Sequence, residues 1–418
     1  MNYVSLNKGK QRKVAAALTW LCFSYAYLLS LSGDDLARIL VDQNDLLLEV
    51  RDSTCIFTRG LVGEWVEDMA SSSNKEDDQV ATYRWEDSYR GNNETKGCDF
   101  HLMTKQGICS LLQNINKEPI HRVFILGDSM AEQMALSFWS LIGESVPPYT
   151  VSADIFADAL EDLWGLRVRD QNFRATVDCP ANKEGGAQFE FVLEYARNDK
   201  ISNDLSPVDM RSHVMNCDER GNPGYCYPWV ERYTSDPRRT LFVVNTGAHH
   251  ITFEDFKFYF DMFMIELDKH IYVSRPDDIM LFRTTSPGHW EIDRTQPYKS
   301  YAEYETAHDG INDIYHWKLF NEYNKYALEE IDRRSKTNIP DSGYKRKKML
   351  ILPLDVYPMT VLRPDSHVDY LHYKIPGGPV DWWNHLMISN LEDIATSLQQ
   401  QEVASKGVEI ESPLSKSY

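Results

Sequence analysis

The sequence predicts an α/β fold of three layers, α/β/α, around a mainly parallel sheet. Two patterns carry that expectation. Four short apolar runs lack the in-out alternation of a half-exposed strand: Arg122–Leu126 (RVFIL), Leu241–Asn245 (LFVVN), Ile279–Thr284 (IMLFRT) and Met349–Leu354 (MLILPL). Strands that read this way have both faces covered. Helical periods fall between them, at Ala131–Leu141, Phe253–His270 and Tyr315–Arg334. Strand–helix alternation builds a parallel sheet with helices on each face. In the second helix Phe256, Tyr259, Phe260, Phe263 and Met264 recur at helical spacing and read as a core stripe.

Ahead of this domain stands Val14–Gly33, a segment without a charged residue and long enough to span a bilayer's hydrocarbon. Lys8, Lys10, Arg12 and Lys13 precede it, and Asp34 and Asp35 follow. The positive-inside bias then puts residues 1–13 in the cytosol and the rest in a lumen, as a single-pass type II protein. A signal peptide ending near Ser30 and Ser32, or a buried helix, are the competing readings; signal cores are usually shorter than this span. The organisation expected is a cytosolic tail (1–13), one transmembrane helix (14–33), a stem (34–52), a catalytic domain (53–398) and a disordered tail (399–418). Within the domain, residues 71–97 read as a polar loop.

The 418 residues are 42% hydrophobic and 12% aromatic, enough for a large core. They carry 44 basic and 63 acidic side chains, a formal charge of −19. That field repels phosphate backbones and argues against a nucleic-acid partner. A neutral glycan hydroxyl meets no such repulsion. Of the seven cysteines, Cys22 lies in the apolar span; Cys55, Cys98, Cys109, Cys179, Cys217 and Cys226 follow it. An even set suits an oxidising lumen, with its pairing open; Cys217 and Cys226, either side of a Gly/Pro turn, make one plausible local bridge. No CxxC pair is present, so no metal site is expected. Asn93-Glu94-Thr95 is a glycosylation sequon.

Active sites of open α/β sheets lie beyond the carboxyl ends of strands. There the first strand gives Gly127-Asp128-Ser129, entering a helix. A serine at that junction is exposed, and the helix's free N–H groups favour negative charge beside it. The same tripeptide also fits an ordinary Ser or Asp helix cap. Asp369-Tyr370-Leu371-His372 can supply a base and a group to orient it, three residues apart as on one helical turn, although on its own the pair reads as an exposed charged pair on a helix end. Asn245, before Thr246-Gly247, has an amide suited to an oxyanion, although Asn near Gly is also a common turn element. His289, in Ser286-Pro287-Gly288-His289, ends a further strand. The neighbours His249 and His250 read as substrate-loop residues.

Six blocks in order carry a resemblance: Cys55-Ile56 with Gly63-Glu64-Trp65-Val66; Gly127–Ser129; Asn245–Gly247; Arg283-Thr284 with Ser286-Pro287-Gly288-His289; Arg363-Pro364-Asp365-Ser366-His367; and Asp369–His372 with Pro376, Gly377, Pro379, Asp381, Trp383 and Asn384. Over roughly residues 55–390 the chain resembles the PC-esterase family, which includes the trichome-birefringence-like proteins and the luminal domain of sialic acid O-acetyltransferase. The resemblance implies an SGNH-hydrolase-like fold and a triad of Ser129, Asp369 and His372, with Gly127, Asp128, Asn245 and His289 around the oxyanion and substrate. It implies an O-acyltransferase, acetyl in the first instance, acting on a glycan or polysaccharide in the Golgi or a related secretory membrane. No cofactor is implied beyond an acyl donor such as acetyl-CoA or another acetylated compound. A carbohydrate esterase and a catalytically silent glycan-binding protein are the alternatives. The chain departs from the plant pattern in lacking cysteines around His372, in Met130-Ala131-Glu132-Gln133 where an Arg is usual, and in His249-His250, so the plant substrate is not carried over.

Overall fold

A computed structural model describes residues 63–67, 83–87, 104–115, 118–143, 173–180, 188–201, 229–291, 294–309, 313, 315–336 and 348–405. The apolar span, the stem, the sequon and the Cys217–Cys226 turn lie outside the described residues. Among the described residues no helix is long and apolar enough to cross a membrane.

The described residues form eight strands and eight α-helices, in chain order β1 (Gly63–Glu67), β2 (Tyr83–Asp87), α1 (Lys105–Asn114), β3 (Arg122–Gly127), α2 (Ser129–Leu141), β4 (Phe173–Asp178), β5 (Glu190–Arg197), α3 (Trp229–Thr234), β6 (Thr240–Val244), α4 (Phe253–His270), β7 (Ile279–Arg283), α5 (Tyr301–His308), α6 (Phe320–Lys336), β8 (Leu350–Leu354), α7 (Tyr357–Thr360) and α8 (Pro379–Ser405). Six strands form one sheet in the order β4-β5-β3-β6-β7-β8. All its pairings are parallel except β4 with β5. Every residue of β3, β6 and β7 is buried, as two-sided coverage requires. On one face, Phe124, Phe242 and Phe282 meet Trp229 and Tyr233 of α3 and Phe260 and Phe263 of α4. On the other, α2 packs on β3 and β5 and is itself covered by α8.

The four apolar runs are all strands, each within a residue or two of the expected bounds, and α4 has the bounds expected. Thr252 caps α4 by accepting the Asp255 N–H (3.0 Å), Glu254 and Asp255 fill its first turn, and Lys269 and His270 its last. Other expectations need correction. β2 lies inside the stretch read as a polar loop, pairing antiparallel with β1. α6 starts at Phe320 rather than Tyr315, because His316 adopts a left-handed conformation (φ 60°) and a 3-10 turn at Trp317–Leu319 follows. α8 continues past Gln399 to Ser405, so the opening of the tail read as disordered is helical.

A buried charge network ties the sheet's antiparallel edge to its centre. Arg122 on β3 and Glu194 on β5 are fully buried and 2.8 Å apart. Arg174 of β4 reaches the same carboxylate at 2.8 Å, and Arg232 of α3 contacts it too. Cys109 of α1 is joined by a disulfide to Cys179, just after β4. Removing one member of a buried pair leaves an uncompensated charge. Glu194→Ala is therefore expected to lower the unfolding free energy by about 3–5 kcal/mol, measured by urea denaturation. A loss under about 1 kcal/mol would mean that water already reaches the cluster.

Candidate active site

The strand order reverses at β3. The chain moves from β3 to β5 on one side, then to β6 on the other. Such a switch point leaves a crevice at the carboxyl edge between the diverging connections. Gly127, Asp128 and Ser129 follow β3 there, and Asn245 follows β6, its N–H donating to the Leu126 carbonyl (3.0 Å). A Cβ on Gly127 would lie 2.6 Å from the Asn245 carbonyl oxygen and 2.9 Å from the Ala131 Cβ. Only glycine lets the two strand ends approach this closely.

Ser129 opens α2, with Asp128 as its cap. The Asp128 Oδ1 accepts the N–H groups of Met130 (2.9 Å) and Ala131 (3.4 Å). Asp128 is fully buried. It holds the helix start, as in the cap reading.

Ser129 and His372 meet across 243 residues of sequence: the Ser129 hydroxyl donates to His372 Nε2 at 2.7 Å. His372 Nδ1–H donates to the Asp369 Oδ2 at 2.7 Å. A carboxylate only accepts, so the proton sits on Nδ1 and the Nε2 lone pair faces the serine. Asp369 and His372 are not on a helical turn as expected. The Asp369 Oδ1 accepts the N–H of Leu371 (2.7 Å) and of His372 (2.6 Å), so the carboxylate makes the turn that carries its own partner. Burial raises the Asp369 carboxyl, but hydrogen bonds from the His372 ring and from the two backbone N–H groups outweigh it and hold the pKa at about 2. The side chains of His372 and Asp369 are 31% and 51% exposed, so the dyad opens to solvent.

A residue the motif reading passed over fixes this loop. Gln133, one turn along α2 from Ser129, donates through Nε2 to the Tyr373 carbonyl (2.8 Å) and accepts the Tyr373 N–H through Oε1 (3.0 Å). Both main-chain groups of the residue after His372 are thus tied to the helix that carries Ser129. The Tyr373 hydroxyl donates to the Pro287 carbonyl (2.7 Å). The only sequence signal was a polar residue four positions after the serine, on the same helix face.

His289 is not beside the serine. It is fully buried, with Nε2 at 2.9 Å from the Val361 carbonyl and Nδ1 at 2.6 Å from His367 Nε2. His367 Nδ1 lies 3.2 Å from the His372 carbonyl. Two neutral rings carry two N–H groups for these three contacts, so the three cannot all be hydrogen bonds at once. That carbonyl still receives the Val368 N–H at 2.9 Å. His289 packs behind the loop that carries His372, its main-chain N–H donating to the Tyr370 carbonyl. Asn245 is likewise buried, and its amide donates to the Arg283 carbonyl at 3.2 Å. His250, expected in a substrate loop, is buried between the Thr246 hydroxyl (2.9 Å) and Asp255 (3.0 Å). His249 pairs with Asp199 at 3.5 Å. Arg363 grips Asp365 through two contacts (2.8 and 2.9 Å) and lies 4.2 Å over the Trp65 ring, so this block is structural. Asp381 accepts the Ser137 hydroxyl and the Gly377 N–H (2.6 Å), away from His372.

The arrangement can generate a serine alkoxide equivalent and stabilise the resulting imidazolium. No protein-family model matches the chain, and no curated protein matches it either.

Two outcomes follow. Gln133→Leu should slow covalent labelling of Ser129 by an organophosphorus ester by roughly 10²-fold, because the base loses its register with the nucleophile. An unchanged labelling rate would show that the loop holds itself. The second concerns pH. Burial lowers His289 well below its usual value, His367 to about 3 and His385 to about 4. The unfolded chain takes up these protons near 6.5, and the folded chain does not. Stability is therefore fully present above pH 6.5 and falls as pH drops toward the folded values, by about 1.4 kcal/mol per pH unit for each imidazole. Urea midpoints at pH 7.5 and pH 5 should differ in that direction, and His385→Gln should flatten the slope.

Proposed function

We infer that this protein is a serine O-acyltransferase of the secretory pathway, moving an acyl group, in the first instance acetyl, onto glycan hydroxyls. The observation that carries the reading is the relay from Ser129 through His372 to Asp369, with both contacts at 2.7 Å. The six ordered blocks that resemble the PC-esterase family support it, as does the parallel sheet with its nucleophile after the central strand. The Cys109–Cys179 disulfide supports an oxidising compartment, where a lumenal domain behind the Val14–Gly33 anchor would fold.

In the first half-reaction Ser129 Oγ attacks the donor's carbonyl carbon as His372 Nε2 takes its proton. The tetrahedral oxyanion sits at the start of α2, where the Ser129 N–H has no acceptor within the helix. The carbonyl re-forms, the donor's leaving group departs with the proton from His372, and an acyl-Ser129 ester remains. In the second half a sugar hydroxyl gives its proton to Nε2 and its oxygen attacks the ester. The Ser129–acyl bond breaks, and Oγ recovers the proton. Asp369 stays ionised throughout, holds the Nδ1 proton and stabilises each imidazolium. The exposure of His372 and Asp369 favours a second reading, a carbohydrate esterase, in which water replaces the sugar.

Ser129→Ala should abolish acyl movement from an acetylated donor to an oligosaccharide, read by mass spectrometry, while leaving the thermal midpoint within about 2 °C of the parent. Retained turnover in that variant would sink the assignment. Asp369→Asn should cost about 10³–10⁴ in kcat because the amide permits the wrong imidazole tautomer. Asp365 and Asp381 are engaged elsewhere and should not rescue it. In the same assay, release of free acetate at an equal rate with and without acceptor would select the esterase.

A further inference from the structure

One feature beside the triad takes no part in the acyl chemistry. Trp290, Tyr315 and Trp317 form a cluster with ring centroids 4.6 to 5.5 Å apart. Tyr370 joins it at 5.4 Å from Trp290. Trp317 lies buried beneath, whereas Tyr315 and Tyr370 are 47% and 43% exposed. Rings packed on one another yet left half in water form a contiguous aromatic surface, and such surfaces mark binding sites.

The backbone is shaped to make this surface. Gly288 brings its main chain flat against the cluster: a Cβ there would lie 2.3 Å from the Trp317 ring and 2.3 Å from the Tyr370 carbonyl oxygen. The His289 N–H donates to that carbonyl at 2.9 Å, locking the triad loop to the end of β7. The left-handed His316 (φ 60°) delays the start of α6 and lets the Tyr315 ring stack on Trp317, 16° from parallel.

We propose that this cluster is the acceptor subsite, stacking a neutral pyranose ring beside acyl-Ser129. The inference rests on the acyl-transfer reading for its choice of ligand. The acceptor hydroxyl must reach His372 Nε2 to give up its proton, so the ring that bears it lies on the His372 side of the nucleophile. Tyr370 lies two residues before His372 on the same loop, which links the cluster to the base. An aromatic face is electron-rich and attracts the polarised C–H groups on one side of a sugar, while the ring's hydroxyls stay hydrated at its edge. Tyr315 stacks on Trp317 (16°) and Trp290 (29°), while Trp290 tilts 40° from Trp317 and 50° from Tyr370, so the rings fill one another's inner faces and leave no open box of the kind that encloses a quaternary ammonium. Among the described residues no lysine or arginine packs over these four rings, and the chain's charge of −19 disfavours an anionic sugar.

The test uses the full-length Ser129→Ala protein, so that binding is read without turnover. Neutral xylo-, gluco-, galacto- and N-acetylglucosamine oligosaccharides are titrated by calorimetry and tryptophan fluorescence. At least one series should bind saturably. Adding Tyr315→Ala should weaken it about tenfold, a loss of about 1.4 kcal/mol, and Tyr315→Trp should retain it. Phe258→Ala, which removes another exposed ring (53%) on α4, should leave binding unchanged. No binding by any neutral series, or equal binding after Tyr315→Ala, would overturn the subsite; so would betaine binding that Tyr315→Ala abolishes. Organophosphorus labelling of the parent protein reads the acyl chemistry separately. Labelling at Ser129 without sugar binding sinks the subsite alone, while sugar binding without labelling sinks the acyl-transfer reading and leaves the sugar site standing.

Discussion

The site depends on one constraint: a loop near the end of the domain must be held in register with a helix near its beginning. The Gln133–Tyr373 pair meets it with two parallel hydrogen bonds in a nearly dry environment, where each is stronger than in water. Main-chain groups have no rotamers, so a side chain that grips both groups of Tyr373 fixes the adjacent His372 without relying on the imidazole itself. The Ser129–His372 contact is then a consequence of that grip more than its cause. It can lengthen and shorten during a reaction while the loop stays in place.

Behind the loop the protein buries polar groups that an apolar core would not need. Arg283 is fully buried and lies 4.0 Å from Asp128, 4.6 Å over the Trp383 ring and 3.1 Å from the Thr284 carbonyl. Burial pulls its pKa down to about 10, against the opposing pull of Asp128, so it stays charged at neutral pH. Buried ions of this kind add little net stability. What they supply here is position. Arg283 stands under the cap that begins α2, and its carbonyl takes up the Asn245 amide. The His289–His367 pair does similar work under the triad loop, and the buried hydroxyl of Thr284 receives the N–H groups of Val356 and Tyr357 at 2.9 and 3.1 Å. Blocks that look like a substrate site in sequence form the bed on which the site rests.

That distinction explains what could be read from the sequence. Strands buried on both faces announce themselves as apolar runs, and β3, β6, β7 and β8 were legible for that reason. β5 was not: EFVLEYAR carries Glu194 at its centre, and only the fold reveals that Arg122 neutralises it. α8 was hidden because it is covered on several sides and buries Asn384, Ser389 and Asn390, so no clean polar face remains to set a period. Ser129, His372 and Asp369, which the structure brings together, were legible as a set because the chemistry proposed for them demands particular residue types in a particular order. Asn245, His289 and His250 carry the same chemistry-bearing groups, but their partners are backbone carbonyls and distant side chains that no spacing displays. Gln133 was missed for the opposite reason: a glutamine on a helix looks like surface until its partner is known.

The open setting of the dyad bears on the choice between transfer and hydrolysis. An acyl-serine exposed to solvent is always within reach of water. Positioning can outcompete it, because a well-oriented bound hydroxyl can act as though present at about 10⁵–10⁸ M, above the concentration of any solvent. A rigid aromatic surface on the His372 side would provide that orientation at low conformational cost, since tyrosine and tryptophan have few rotors to freeze. Under the proposed acyl-transfer reading, the same dyad would hydrolyse when the aromatic surface is empty and transfer when it is filled. Selectivity then lies in how long an acceptor ring stays stacked, and not in any feature of the serine, histidine or aspartate.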